Sequence, residues 1–140
     1  GGGAMTAKEF LKQAYRLNEL INSDLEELQN LRELSRSVSS PVLEEKVSKT
    51  KSADPPFEKY VIRIVDLEKQ IQQEVERLIK LKSDIREAIN QMENVDEKLL
   101  LRYRYINFLN WEEICVNLNV SMRTVHRLHS SALQHLKVPK

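Results

Sequence analysis

A run of apolar residues at three- and four-residue steps constrains this chain more than any other feature: Tyr60, Ile64, Leu67, Ile71, Leu78, Leu81, Ile85, Ala88 and Met92. That spacing keeps one face of an α-helix apolar from Phe57 to Met92, roughly 54 Å at about 1.5 Å per residue. Only Glu74 interrupts the seam, and the positions between alternate in sign, as in Glu68-Lys69 and Asp84-Arg86-Glu87. A helix with a single apolar stripe is not stable by itself, because the stripe needs a partner. The chain offers one upstream. Leu11, Ala14, Leu17, Ile21, Leu25, Leu28 and Leu31 give a second amphipathic helix from Lys8 to about Ser35. A stretch rich in Ser, Lys, Glu and Pro, about 36–56, joins the two and reads as a flexible linker with room for a helical turn at Val42 to Val47. The expectation is a long antiparallel, coiled-coil-like hairpin over residues 5–93. A second copy of the chain is the other partner the stripes could take.

Gly1 to Ala4 read as a tag remnant ahead of a native start at Met5, and they hold all three glycines of the sequence. The rest therefore contains no Gly-rich phosphate loop, and its carboxylates fall at solvating helical spacings, so neither an enzyme nor a bound cofactor is expected. No apolar run approaches the ~18 residues that span a bilayer, and Thr6 to Gln13 is too polar for a signal segment. One cysteine, Cys115, excludes an internal disulfide and fits a reducing cytoplasm, as in a bacterial host cell.

The net charge of +1 hides an asymmetry. From Asp96 onward seven bases face four acids, a net +3, and all three histidines lie there; the remainder is net −2. Basic charge therefore collects in the C-terminal unit, 94–140, where a polyanion would bind. The local signals in that unit are strong. Asn94-Val95-Asp96-Glu97 and Asn110-Trp111-Glu112-Glu113 each show an N-cap residue followed three positions later by Glu, the capping-box pattern. The helix after Asn110 turns Ile114, Cys115 and Leu118 inward. Asn119-Val120-Ser121 then supplies a residue tolerant of left-handed backbone, a core plug and a cap. The last helix, Ser121 to Leu136, has Val125, Leu128, Ala132, Leu133 and Leu136 on one side. Its other side carries Met122, Arg123, Thr124, His126, Arg127 and Ser130. A short helix, a tight turn and a longer helix with basic and hydroxyl residues in its first turns is the arrangement that enters a major groove. Arg can pair bidentately with guanine there, and Ser or Thr reaches bases or phosphates.

Several residues in this unit read as structural. Cys115 is expected in the core, Trp111 as a partial core anchor, and Tyr103 and Tyr105 as packing residues. His126, His129 and His135 lack Cys partners and a clean i, i+4 pair, so they read as surface or phosphate-facing side chains, with no metal expected.

Leu101 to Leu136 resembles region 4 of the bacterial sigma-70 factors, through Arg104-Tyr105-Ile106, Trp111-Glu112-Glu113-Ile114, Leu118-Asn119-Val120-Ser121, Thr124-Val125, Ala132-Leu133 and Leu136. The whole chain is also similar to small phage and prophage proteins of the ArpU- and RinA-type late transcription regulators. The resemblance implies an all-α fold and a sequence-specific DNA-binding role in transcription. Asn107-Phe108 departs from the usual Gly before the second helix and makes Phe108 an expected exposed contact. Asn119 stands for the usual Gly of the turn.

The expected DNA-contacting set is Ser121, Met122, Arg123, Thr124, His126, Arg127 and Ser130, with phosphate contacts from Ser121, Arg102, Arg104 and Lys137. Expected partners are double-stranded DNA, RNA polymerase, and a second copy bound through the long helices, with no membrane. Two other readings stay open: a DNA-packaging subunit like small terminases, which also join a helix-turn-helix to oligomerising helices, and a module that binds polymerase or a host regulator.

Overall fold

The computed structural model describes residues 5–38 and 54–140, with side chains of the second stretch from Phe57 onward. The tag remnant, most of the linker and the turn at Val42 to Val47 lie outside the described residues. The fold is all-α. Among the described residues five helices follow in order: α1 (Ala7–Val38), α2 (Asp54–Asn90), α3 (Val95–Tyr105), α4 (Trp111–Leu118) and α5 (Met122–His135). No strand occurs among the described residues.

The ends of the long helices differ from the sequence reading for local reasons. Helix α1 starts at Ala7 because Thr6 and Glu9 form a reciprocal capping box, each side chain taking the other's backbone N–H at 3.1 Å. It then runs through Ser35 and Ser37 to Val38. Helix α2 begins before Pro55-Pro56. Proline is tolerated in a first turn, where its missing N–H would have no helical partner.

Packing divides the chain into two compact units: residues up to Asn18 together with Arg77–Lys140, and Glu19–Glu76. In the second unit α1 and α2 run antiparallel, since Asp24 meets Gln70 while Arg32 meets Glu68. Leu28, Leu31, Leu67 and Ile71 make its buried core, flanked by Tyr60 and Ile64. The register differs from the expected one at a single step. Leu25, expected in the stripe, is 45% exposed, and Asp24 takes the seam position at 8%. Ile21, Asp24, Leu28 and Leu31 keep the 3-4-3 rhythm of a heptad seam, which Leu25 breaks.

The first unit holds the larger core. Phe10, Leu11 and Ala14 of α1 and Ile85, Ala88 and Ile89 of α2 join Leu100, Leu101 and Tyr105 of α3, Ile114 of α4, and Val125 and Ala132 of α5. Helices α3, α4 and α5 form the helix-turn-helix, and the long helices complete its interior.

Candidate nucleic-acid interface

The turn that sets the angle between α4 and α5 is built from Asn119, whose backbone is left-handed at φ 56° and ψ 49°. Its N–H bonds back to the carbonyls of Cys115 and Val116, and Val120 N–H bonds to Cys115 as well. Asn tolerates this conformation better than any residue with a bulkier side chain. At the start of α4, Asn110 and Glu113 complete a capping box, with Asn110 Oδ1 accepting from Glu113 N at 2.8 Å and Glu113 Oε1 from Asn110 N at 3.3 Å. Ser121 caps α5: its Oγ accepts from Thr124 N at 3.2 Å and donates to Thr124 Oγ1 at 3.1 Å.

Helix α5 buries Val125 and Ala132 and leaves Arg123, His126, Arg127 and Ser130 exposed on its outer side. Neither arginine makes an ion pair among the described residues. Met122 lies beside them, 3.9 Å from the half-buried Cys115 thiol. The Ser121 and Thr124 hydroxyls are partly engaged with each other in the cap.

Of the four residues expected on phosphates, Ser121 stays at the cap of α5 and the three basic ones separate. Arg102 is half-buried and reaches Asn90 Oδ1 at 3.5 Å. Lys137 lines a different cavity, among Asp84 and Glu87. Arg104 is held in place. Its Nη1 donates to the Leu109 carbonyl at 3.0 Å, and its guanidinium lies 4.4 Å from the Trp111 ring centre and 5.7 Å from that of Tyr15. Such cation–π contacts fix the plane of the group while leaving N–H donors on its edge.

Two expectations on side chains are corrected. His129 is not a surface histidine: it is half-buried, shares a 2.7 Å hydrogen bond with Tyr105 Oη and packs edge-on against Trp111. Burial first, then the charges of Lys8, Arg104, His126 and Lys12, push its pKa down from 6.5 to about 4, so it is neutral at pH 7. Burial likewise raises the Tyr105 phenol. Phe108 is not an exposed contact. It is half-buried with φ 58°, its ring edge-on to Tyr15 at 5.8 Å and Lys82 Nζ 4.4 Å from its centre. A left-handed backbone at a bulky residue costs on the order of 1–2 kcal/mol, which these contacts and the Leu109 N–H bond to Tyr103 offset.

Glu97 also departs from the capping-box pattern. Asn94 accepts from its backbone N–H, but its carboxylate turns inward, 4% exposed. There it accepts from Ser131 Oγ at 2.7 Å and pairs with His135 Nδ1 at 2.8 Å. Burial alone would raise its pKa, yet the bonds from His135 and Ser131 and the His135 charge hold it below the ordinary carboxylate range. This tie fastens the far end of α5 to the start of α3.

The sequence reading missed a basic stripe. Lys8, Lys12 and Arg16 recur every four residues along α1 and line a cavity of about 470 Å³ with Tyr15, Arg104, Tyr105, Trp111, His126 and His129. The stripe is visible in the sequence as i, i+4, i+8. Its position beside a helix more than 100 residues later is not. Among the described residues no three His, Cys, Asp or Glu side chains gather as metal ligands do, and no helix is long and apolar enough to cross a membrane.

Residues 37–137 match the model of a family described as proteins of unknown function, DUF1492. No curated protein and no solved structure matches the chain.

Proposed function

The chain belongs to the DUF1492 family of proteins of unknown function, and we propose that it is a sequence-specific DNA-binding protein that lays α5 in the major groove. The observation that carries this reading is the outer side of α5, where Arg123, His126, Arg127 and Ser130 stand exposed without an acidic neighbour on that helix. On this reading Arg123, one residue into the helix, would meet a guanine edge, and Arg127, one turn on, a base or phosphate. The resemblance to sigma-70 region 4 and to ArpU- and RinA-type proteins extends the reading to transcription regulation, with RNA polymerase as a partner.

A single module of this kind covers roughly 600–1,000 Å² and binds weakly. A second copy joined through the long helices would strengthen binding. The exposed Val61, Ile62, Val65 and Ile79 on α2 are in keeping with such a pairing.

The test is selection of bound duplexes from a genomic library, followed by shift assays at fixed salt with the double variant Arg123→Ala/Arg127→Ala. Specific affinity should fall by about 10-fold or more, with helicity unchanged. Unchanged affinity would refute the assignment. Light scattering separates a monomer or dimer, as expected of a regulator, from the many-membered ring of a packaging subunit.

A further inference from the structure

We propose that the cavity between the first turns of α1 and the face formed by α3, α4 and α5 is a phosphate-binding site, with Lys8, Lys12, Arg16 and Arg104 as its cationic ligands. All four line one concavity of about 470 Å³, and no carboxylate lines it with them. None of the four makes an ion pair among the described residues. Like charges gathered around one concave surface repel, and the walls focus their field, so the site attracts a compact anion carrying more than one charge.

Arg104 is preorganised for that role. One N–H is fixed on the Leu109 carbonyl and the plane is set by Trp111 and Tyr15, so little side-chain entropy remains to be lost when an oxoanion meets the free edge. Lys8, Lys12 and Arg16 supply mobile, exposed charges from the facing helix. The field is also felt by the site's own imidazole: after burial, the charges of Lys8 and Arg104 hold His129 neutral down to about pH 4.

Phosphate fits better than a carboxylate on charge, because two lysines and two arginines around one concavity suit a dianion better than a monoanion. The volume exceeds a bare phosphate, and the Trp111 and Tyr15 rings give an organic portion something to pack on. Two sources share this chemistry: a free phosphorylated small molecule, and the backbone of the DNA read by α5. Only the second rests on the proposed function.

Trp111 is the sole tryptophan of the sequence, so emission from the intact chain reports on the cavity directly. The chain is titrated with inorganic pyrophosphate and, separately, with duplex DNA, at constant ionic strength. Lys8→Ala/Lys12→Ala and, as an independent second variant, Arg16→Gln are compared with the wild type, helicity being checked by circular dichroism. A saturable response to pyrophosphate, weakened about tenfold in the double variant, supports the site and a free phosphate ligand. A response to duplex alone, weakened likewise by the α1 substitutions, supports the site and assigns it to the DNA backbone. No saturable response to either probe, or responses equal in wild type and variants, overturns it. Pyrophosphate binding that survives Arg123→Ala/Arg127→Ala while duplex binding is lost, or never detected, leaves the cavity standing whatever becomes of the groove-reading helix.

Discussion

Removing the Glu97 carboxylate should loosen α5 from α3 by a measurable amount. Glu97→Ala deletes a 2.7 Å bond from Ser131 and a 2.8 Å contact to His135 at a residue only 4% exposed. A hydrogen bond to a charged group contributes about 1.5–3 kcal/mol. The Ser131 bond is part-buried and takes the lower half of that range, about 1.5 kcal/mol. The His135 side chain is 63% exposed, so solvent screening leaves its share at about 0.5 kcal/mol. Losing the buried Cγ methylene adds roughly 0.8 kcal/mol, while relief from burying a carboxylate acts in the other direction. The net expectation is a loss of about 2–3 kcal/mol, a large fraction of the ~5–15 kcal/mol of a typical domain. Urea denaturation of the full chain at pH 7, followed at 222 nm, measures it. Glu97→Gln, which keeps the shape, should cost less than Glu97→Ala but more than nothing.

The pH dependence follows from the lowered pKa of Glu97. Its contribution is complete above the unfolded value of 4.5 and is lost as pH falls through the lower folded value. Glu97→Gln should flatten that acid limb. If both variants unfold within about 0.5 kcal/mol of the wild type, a range usual for inert surface changes, the tie contributes nothing and the reasoning is refuted.

Between pH 6.5 and about 4 the unfolded chain protonates His129 while the folded chain does not, so stability should fall as pH drops through that window. The whole interval corresponds to about 3 kcal/mol, which half-burial and screening reduce to about 1–2 kcal/mol; urea midpoints at pH 7 and pH 5 test this, and His129→Gln should abolish the slope. Asn119→Gly should leave thermal stability within a few tenths of a kcal/mol, whereas Asn119→Val, forced into left-handed backbone, should cost about 1–2 kcal/mol. Asp24→Leu puts an apolar group at a seam position whose cross-helix bond from Gln70 is long, at 3.4 Å; it should raise stability by about 1–2 kcal/mol, read as a higher melting temperature.

What could be read from the sequence was whatever is decided within four residues. The caps at Asn110 and Ser121, the left-handed Asn119 and the inward positions Ile114, Val125 and Ala132 depend on near neighbours, and all stand as expected. The errors come from distant partners. Leu25 and Asp24 both fit a helical stripe, and only pairing with α2 selects Asp24. Glu97 has the spacing of a capping box, and the donors that divert it lie 34 and 38 residues away. His129 looks like its exposed neighbour His126 until Tyr105 and Trp111 close around it. Lys8, Lys12 and Arg16 acquire a role only when α1 lies against α5.

Phe10, Leu11 and Ala14, placed in one core with Val125 and Ala132, also set an order of events during synthesis. A ribosome adds about 5–20 residues per second, so the apolar face of α1 emerges on the order of ten seconds before its last partners. In that interval Ile85, Ala88 and Ile89 are the first core residues able to shield it. The long helices should therefore pair early, around a core still missing its last side, and α5 should close it as the final step.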